Sequence, residues 1–516
     1  MIILTGALLI VLTTSLFLLW YRRDSRLPPG PRGIPILGIL PFLGSNPTKK
    51  LTEWTNEYHG ACTMRIGRTD TVVLANYGSI YDVLIRQAAK MGARADLTVP
   101  DAANKGIGIV FATPKISEIH RPFTLQTFRR NQVQTQMVFI IFIAVHTFVG
   151  TIILRLGVGK NTMEARIQQE ASYLVKAIQD KEENPFDPSR LFLYAAFNIS
   201  CLITMGERYS YDDKILEHMG SKLVDGLREN GIYVLLIGSS KYLPHFAPFK
   251  AVMKRYLDDF NNVVAFQDFF KTKVKEHETT YDENEMRDYI DMFLEEMKKQ
   301  NPDPTFHKDQ LLIALHNIME AGSQTLSCTL SWCMIALLKY PKYYHILRNE
   351  IDFVVGCDRK VSLADRKNMP RTLAFYHELM RRCTLVKTCL RQTVEDGVVV
   401  NGYKLPKDTQ IRVIPSAVHN DPECFPEPEK FCPERFIDPE DGSFQKSKYW
   451  MPFSIGKRNC VGEQLAQMEL FILLVTVIQN FDISVRDDTK IPSLDDGIEG
   501  VVFTPPPLDL VFVGRE

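Results

Sequence analysis

A single cysteine in a glycine-bounded loop constrains this chain more than any other feature of its sequence. The loop covers residues 453–462 and fits the spacing F-x-x-G-x-R-x-C-x-G at every fixed position, with Cys460 as the cysteine. Lys457, Arg458 and the N-terminus of the apolar helix predicted after the loop all favour the thiolate form of Cys460. A lone cysteine usually packs as a small apolar side chain, whereas a thiolate can attack a substrate or hold a metal. The matching context favours a chemical role.

The loop resembles the heme-ligand loop of the cytochrome P-450 enzymes. Residues 27–38 and 287–297 are similar to segments of the animal microsomal enzymes of the second family and its invertebrate relatives. The resemblance covers nearly the whole chain outside one insertion. It implies a mainly α fold with small β-sheets, in a single heme domain behind an N-terminal membrane anchor. It also implies a monooxygenase that uses heme b, takes electrons from NADPH through a reductase and inserts one oxygen atom into an apolar substrate.

The resemblance assigns heme contacts to residues of the loop itself. Cys460 would be the axial ligand of the heme iron, and Arg458 would neutralise a heme propionate. Phe453 would pack beside the thiolate. Gly456 would let the backbone approach the heme closely, because glycine has no side chain.

Two arginines outside the loop are also expected near the propionates. Arg391 lies where the family places a basic partner, although a surface arginine is the ordinary interpretation. Arg121 keeps its family position, but Ser117 stands where the family has Trp. Pro122 follows inside a predicted helix, where it removes an N–H donor. We therefore expect one propionate contact to be lost and heme binding to weaken.

The segment Glu378-Leu379-Met380-Arg381 places a carboxylate and a guanidinium three residues apart on a predicted helix, where they can pair. Alone, this spacing carries little information. Followed by Arg435 and then the cysteine loop, it resembles the structural triad of the family. The resemblance makes Glu378, Arg381 and Arg435 structural rather than catalytic.

A long apolar-periodic helix is predicted over residues 309–338, interrupted at 321–323 by Ala-Gly-Ser. A glycine inside a helix costs about 1 kcal/mol relative to alanine, so it usually has a reason. By resemblance, the small residues open a groove for dioxygen and substrate, and Thr325 supplies a hydroxyl that helps deliver protons. Gln324 replaces the family's acid. Its amide can orient water but cannot donate a proton as a carboxylic acid does, so we expect slower proton delivery or a relay through water.

Residues 130–155 interrupt the resemblance, and residues 137–154 are nearly all apolar. Hydropathy alone indicates a second transmembrane segment. A span here would put Cys460 on the opposite side of the membrane from residues 31–128, so we reject it. Two hypotheses stay open: a retained intron or faulty gene model, and a genuine insertion packed on the membrane face.

The N-terminus is predicted to anchor the chain. Residues 2–20 are almost entirely apolar and span roughly 29 Å as a helix, about one hydrocarbon core. Arginines follow without a small-residue cleavage site, which favours a retained anchor with the body on the cytoplasmic side. The resemblance to the microsomal enzymes implies the endoplasmic reticulum membrane. A stiff Pro-rich joint comes next. The predicted parts are an anchor at 1–21, a basic and Pro-rich hinge at 22–31 and the heme domain at 32–516.

Composition limits the partners. The 61 Lys and Arg residues balance the 61 Asp and Glu residues, so we expect no nucleic-acid partner. Ten cysteines without a regular framework indicate reduced thiols facing the cytosol.

A basic cluster lies close to the cysteine loop in the sequence and consists of Lys446, Lys448, Lys457 and Arg458. It is either a solvated face or, as the resemblance implies, a docking surface for an acidic flavoprotein reductase. Cytochrome b5 is a second candidate partner.

Other functions stay open. The insertion, Ser117 and Pro122 would suit a heme-binding protein with impaired or no turnover. Gln324 would suit a heme-thiolate isomerase or dehydratase, which acts on peroxides and needs no reductase. No His/Asn pattern supports a metal-free cysteine hydrolase. The apolar pocket segments do not choose among xenobiotic, fatty-acid and steroid substrates. His146, His316, Cys328 and Cys333 are interpreted as packing residues.

Overall fold

A computed structural model of the protein describes residues 14–15, 21–35, 37–44, 46–67, 69–94, 106–128, 163–227, 266–486 and 489–515. The insertion predicted at 130–155, His146 within it and most of the anchor predicted at 1–21 lie outside these residues.

Helices make up most of the described chain. They are α1 (Pro47–Glu57), α2 (Tyr77–Tyr81), α3 (114–128), α4 (Met163–Gln179), α5 (Ser189–Thr204), α6 (Lys214–Leu227), α7 (266–280), α8 (Tyr289–Lys298), α9 (Lys308–Lys339), α10 (Pro341–Val354), α11 (Pro370–Arg382), α12 (Pro415–His419) and α13 (Glu463–Asn480). A π-turn over Asp82–Arg86 continues α2, and 3₁₀ turns cover Leu40–Phe42, Ala88–Lys90, Leu363–Asn368 and Pro433–Phe436.

The strands form small sheets beside the helices. They are β1 (Ala61–Ile66), β2 (Thr69–Leu74), β3 (Cys389–Gln392), β4 (Val398–Val400), β5 (Tyr403–Leu405), β6 (Gln410–Val413), β7 (Phe481–Ser484), β8 (Ile498–Glu499), β9 (Phe503–Thr504) and β10 (Val511–Gly514). One sheet has the order β1-β2-β6-β3, in which only β2 and β6 are parallel. The pairs β4/β5, β7/β10 and β8/β9 are antiparallel. The predicted fold class, mainly α with small β-sheets, is confirmed.

The long helix α9 crosses the core and is apolar on most of its surface because it packs on all sides. Its predicted interruption is wrong, since the helix continues without a break through Gly322. A Cβ at Gly322 would lie 2.8 Å from Ser200 Oγ, so the glycine lets α9 and α5 approach closely. The helix ends at Lys339, and Tyr340 leaves the helical conformation, which is disfavoured for a residue before proline. Among the described residues, α9 alone is long and apolar enough to cross a membrane, and most of it is buried inside the protein.

The hinge rests on the first sheet. Thr63 N donates to Pro29 O at 3.1 Å, and Arg23 donates to Gly30 O at the same distance. A Cβ at Gly30 would overlap the backbone of Thr63. Because Asp70 also pairs with Arg23 at 3.8 Å, the hinge is fixed to the β1–β2 hairpin by charge as well as by backbone contact.

The Glu378–Arg381 pair lies inside the protein at the end of α11, and both residues are fully buried. Arg381 Nε and Nη2 donate to the two carboxylate oxygens of Glu378 at 2.7 and 2.8 Å. Glu378 also accepts from Cys432 N at 2.8 Å and forms an ion pair with Arg435 at 3.5 Å. The three residues of the predicted triad are therefore together, and they tie α11 to the segment that precedes the cysteine loop.

Replacing Glu378 by Ala should lower the free energy of unfolding by about 3–5 kcal/mol, because it leaves two buried guanidinium groups without their carboxylate. Chemical denaturation followed by circular dichroism measures this loss. Glu217→Ala is the matched control, since Glu217 pairs with Arg190 on the surface and should contribute little. Equal losses for the two variants would contradict the structural role of Glu378.

Candidate active site

The cysteine loop is folded tightly on itself and against α2. Cys460 N donates to Phe453 O at 2.9 Å, which closes the loop. Ser454 and Gly456 both have left-handed backbones, with φ of +59° and +83°. A Cβ at Gly456 would overlap Leu84 O, so the glycine lets the loop lie close to this π-turn carbonyl. The predicted close approach of Gly456 to the heme stays a prediction. The loop geometry thus fixes where the thiol of Cys460 points.

The predicted lowering of the Cys460 pKa by its surroundings is outweighed by burial. The pKa of the Cys460 thiol is raised, chiefly by burial, and the carboxylate of Glu463 adds to the effect. The Gly462 N–H and the charges of Arg121 and Arg94 lower it without reversing the direction. The Cys460 residue is nevertheless exposed, because its side chain borders an open space in the protein. Thiolate formation here depends on a bound metal, which deprotonates a coordinating thiol.

Four arginines surround the same space. Arg121, Arg391 and Arg458 are 8%, 1% and 3% exposed, and Arg94 faces them from the loop before α3. We name Arg94, Arg121, Arg391 and Arg458 the arginine cradle. Each donates to backbone carbonyls: Arg94 to Val110, Arg121 to Asn459, Arg391 to its neighbour Leu390 and to Arg458, and Arg458 to Ala112.

The cradle concentrates positive charge, and the described residues supply no balancing acid. Burial, together with the charges of Arg121 and Arg391, lowers the pKa of Arg458 to about 10. In the described part of the chain, no carboxylate forms an ion pair with a cradle arginine. Buried Nε and Nη1 of Arg458 and Nε of Arg391 have no hydrogen-bond partner. Because buried charges need partners, the cradle fits a dianionic group, and the two propionates of heme satisfy this requirement.

Sequence reasoning missed Arg94. It lies in a loop without periodicity or motif, so only its position in space identifies it. It also missed the amides that hold the cradle in place. Gln310 donates to and accepts from the backbone of Gly108, and Asn317 Oδ1 accepts from Ile109 N and Val110 N, at 2.7–3.1 Å. These bonds fix the backbone segment whose carbonyl groups accept hydrogen bonds from the guanidinium groups of Arg94 and Arg458.

The two predicted catalytic residues of α9 face different spaces. Thr325 is half-buried beside exposed Ala321, and its hydroxyl donates to Ala321 O at 2.7 Å. Gln324 is 4% exposed and lines a cavity of about 410 Å³ between α5, α9 and the C-terminal segment. Gln324 Oε1 has no partner among the described residues. Because Gln324 and Thr325 are successive residues of a helix, the Gln324 amide and the Thr325 hydroxyl point in different directions.

The departures near Arg121 do not interrupt α3, and the expected loss of one propionate contact stays a prediction. Ser117 is buried one turn before Arg121 on α3. The helix continues through Pro122, which lies on the exposed side where water can satisfy the carbonyl left without its donor. Arg121 keeps its place in the cradle.

The predicted basic cluster is divided by the structure. Lys446, Lys448 and Lys457 are exposed, and Lys446 pairs with Glu463 at 3.1 Å. Arg458 is buried and points inward, so it does not belong to the surface cluster. The three lysines form the exposed basic face beside the loop.

The other flagged residues have packing roles. His316 is 5% exposed, contacts Phe266 edge-on and lies 3.4 Å from Glu320. Cys328 and Cys333 are buried among the apolar residues of the core.

Comparison with known proteins agrees with this fold and site. The cytochrome P450 family model matches residues 28–152 and 146–512, and these two stretches meet within the segment 130–155. Cytochrome P450 2C21 of Canis lupus familiaris is 34% identical over 96% of this chain and 97% of its own length. Cytochrome P450 2C4 of Oryctolagus cuniculus is 34% identical over 96% of each chain, and cytochrome P450 2F5 of Gorilla gorilla gorilla is 33% identical over 90% and 89%.

The fold and the cysteine–arginine site define a heme-thiolate protein. The chain belongs to the cytochrome P450 family, and the expected similarity to its second family is confirmed. It is a monooxygenase, an oxidoreductase whose cofactor is heme.

Replacing Arg458 by Gln should weaken heme binding about tenfold or more, the effect of losing one charge-assisted hydrogen bond. The heme-free protein should be no less stable, because the substitution relieves repulsion in the cradle. Heme transfer to a scavenger apo-globin and thermal unfolding measure the two effects.

Arg412→Gln is the matched control, since Arg412 is also buried but donates to Thr388, outside the cradle. Equal loss of heme from both variants would contradict the assignment of the cradle.

Proposed function

We propose that this protein hydroxylates apolar organic substrates of the xenobiotic, fatty-acid or steroid type, with electrons delivered from NADPH through a flavoprotein reductase. The observation that carries the proposal is that Cys460 faces the same space as the arginine cradle, in which Arg121, Arg391 and Arg458 are buried and Arg94 is half-buried. Both features fit heme b: Cys460 would hold its iron, and the cradle arginines would hold its propionates. A cysteine ligand makes heme iron able to activate dioxygen.

The chain's own residues orient the cofactor and deliver protons. Arg94, Arg121, Arg391 and Arg458 hold the propionates, and Phe453 and Gly456 shape the loop that presents the thiol. Thr325 offers a hydroxyl oxygen that can still accept a hydrogen bond while its hydrogen is donated to Ala321 O.

Gln324 supports proton delivery through water in this proposal. Its unpartnered Oε1 can accept from a water molecule in the adjacent cavity. The amide orients that water but supplies no proton itself. Since the amide of Gln324 and the hydroxyl of Thr325 face different spaces, we infer that water molecules are needed to connect them.

The apolar N-terminal segment is the basis for proposing that the protein is bound to a membrane. We propose that 1–21 anchors the protein in the endoplasmic reticulum membrane, that 22–31 is the hinge and that 32–516 is the heme domain on the cytoplasmic side. The exposed face of Lys446, Lys448 and Lys457 would attract an acidic reductase or cytochrome b5.

Gln324→Glu should raise the yield of product per NADPH consumed, because a carboxylic acid can carry the proton that the amide cannot. Thr325→Ala should lower that yield about tenfold and release hydrogen peroxide instead, by loss of the proton-delivering hydroxyl. A reconstituted system with reductase and an apolar probe such as lauric acid measures both yields.

Ser323→Ala is the control for these variants, since Ser323 is fully buried and its hydroxyl only donates to Met319 O. If all three variants matched the parent, the proton relay would be wrong. Turnover of a peroxide without NADPH and reductase would instead favour the isomerase or dehydratase function, which the neutral Gln324 also permits.

We propose that residues 130–155 are a retained intron or a faulty gene model. The support is the apolar stretch at 137–154 and the meeting of the two family matches within the segment. Sequencing transcripts across residues 128–157 should reveal messages without the segment. A segment kept in every transcript would contradict the proposal and favour a genuine insertion on the membrane face.

A further inference from the structure

His419 lies at the end of α12, inside the protein between α11 and the cysteine loop. It is fully buried, and its carbonyl accepts a hydrogen bond from Arg381 Nη1 at 2.6 Å. One ring nitrogen faces Thr384, and the other faces the backbone of Met451. Burial and the nearby charge of Arg381 lower the pKa of His419 to about 3, so the ring is neutral at physiological pH.

The hydrogen bonds of His419 select one tautomer. Thr384 Oγ1 donates to Arg381 O at 2.8 Å, so it accepts from His419 Nδ1–H at 2.6 Å. Met451 N donates to His419 Nε2 at 2.9 Å, so this nitrogen carries the lone pair. Each polar ring atom therefore has a partner, and a protonated ring would lose the bond to Met451.

A path of backbone hydrogen bonds continues from His419 to Cys460. Met451 O accepts from Ser454 N at 2.9 Å, and Phe453 O accepts from Cys460 N at 2.9 Å. Ser454 has the left-handed backbone that non-glycine residues adopt only where their surroundings enforce it. Arg391 Nη2 also donates to Ser454 Oγ at 3.1 Å. The strained turn is thus held at its beginning by His419 and at its centre by Arg391.

We propose that His419 is a positioning residue that couples the Glu378–Arg381 pair to the cysteine loop through the Met451 N–H, and so keeps the Cys460 thiolate on the heme iron. This inference rests on the proposed role of Cys460 as the axial ligand. It gives the buried ion pair of α11 a direct link to the chemistry, because Arg381 holds the His419 carbonyl and the His419 ring holds the loop.

Two substitutions separate the contacts of the ring. In His419→Asn the side chain can still donate towards Thr384 but is too short to accept from Met451 N. In His419→Gln the amide oxygen lies near the position of Nε2 and can accept from Met451 N. We expect His419→Asn to reduce the fraction of the long-wavelength thiolate band in the carbon-monoxide difference spectrum about tenfold, the effect of one lost buried hydrogen bond. His419→Gln should keep most of the band.

Amide hydrogen exchange of the full chain gives a second readout that does not depend on heme. His419→Asn should speed exchange in the peptide covering 449–460, and His419→Gln should not. His277→Asn is the matched control, because His277 is also buried and bridges Lys273 O and Asp288, outside the loop. It should lower stability without changing the band or the exchange of 449–460.

The outcomes distinguish this inference from the proposed function. If His419→Asn affects loop exchange no more than His277→Asn does, or if His419→Gln loses the band while His419→Asn keeps it, the inference is overturned. If the parent protein shows no thiolate band, the role of Cys460 fails, and the exchange comparison still decides whether His419 holds the loop.

Discussion

Buried positive charge, for which the described part of the chain supplies no matching acid, is the constraint on which the rest of this site depends. Arg121, Arg391 and Arg458 are almost fully inaccessible, and Arg94 faces them. Burial of like charges opposes folding unless an anion joins them. The folded chain therefore requires a dianionic cofactor at the cradle. Cys460 faces the same space. Cofactor binding and folding are coupled through these groups, as expected for any ligand that binds only the native state.

The surrounding fold keeps the charged groups in position through polar side chains on two helices. On one side, Gln310 and Asn317 of α9 hold the backbone that fixes Arg94 and Arg458. On the other side, α11 supplies the buried pair of Glu378 and Arg381. Both helices use buried polar groups that are satisfied by backbone atoms of loops. Loops without regular structure can thus be placed with the accuracy that a cofactor site needs.

Residues in local motifs could be predicted from the sequence, and residues placed by distant contacts could not. Cys460, Arg458, Glu378 and Arg381 lie in spacings that can be recognised within ten residues. Arg94 lies in a segment without any such spacing, and its electrostatic interactions with Arg391 and Arg458 join parts of the chain that are distant in sequence.

Two predictions were wrong because burial is not visible in a sequence. The expected lowering of the Cys460 pKa by its charged neighbours is outweighed by burial. The expected break in α9 does not occur, because close packing on Ser200 offsets the cost of Gly322 within the helix. The mainly helical fold class could be predicted without knowledge of burial, because amphipathic patterns recur along most of the chain.

The most direct test of the account is a carbon-monoxide difference spectrum of the reduced protein, recorded for the full chain and for a chain without residues 130–155. The account predicts a long-wavelength thiolate band in the shortened chain that Cys460→Ser abolishes. A band in the full chain as well would mean that the segment does not prevent heme binding. Absence of the band from both chains, or its survival in Cys460→Ser, would contradict the assignment of Cys460 as the heme ligand.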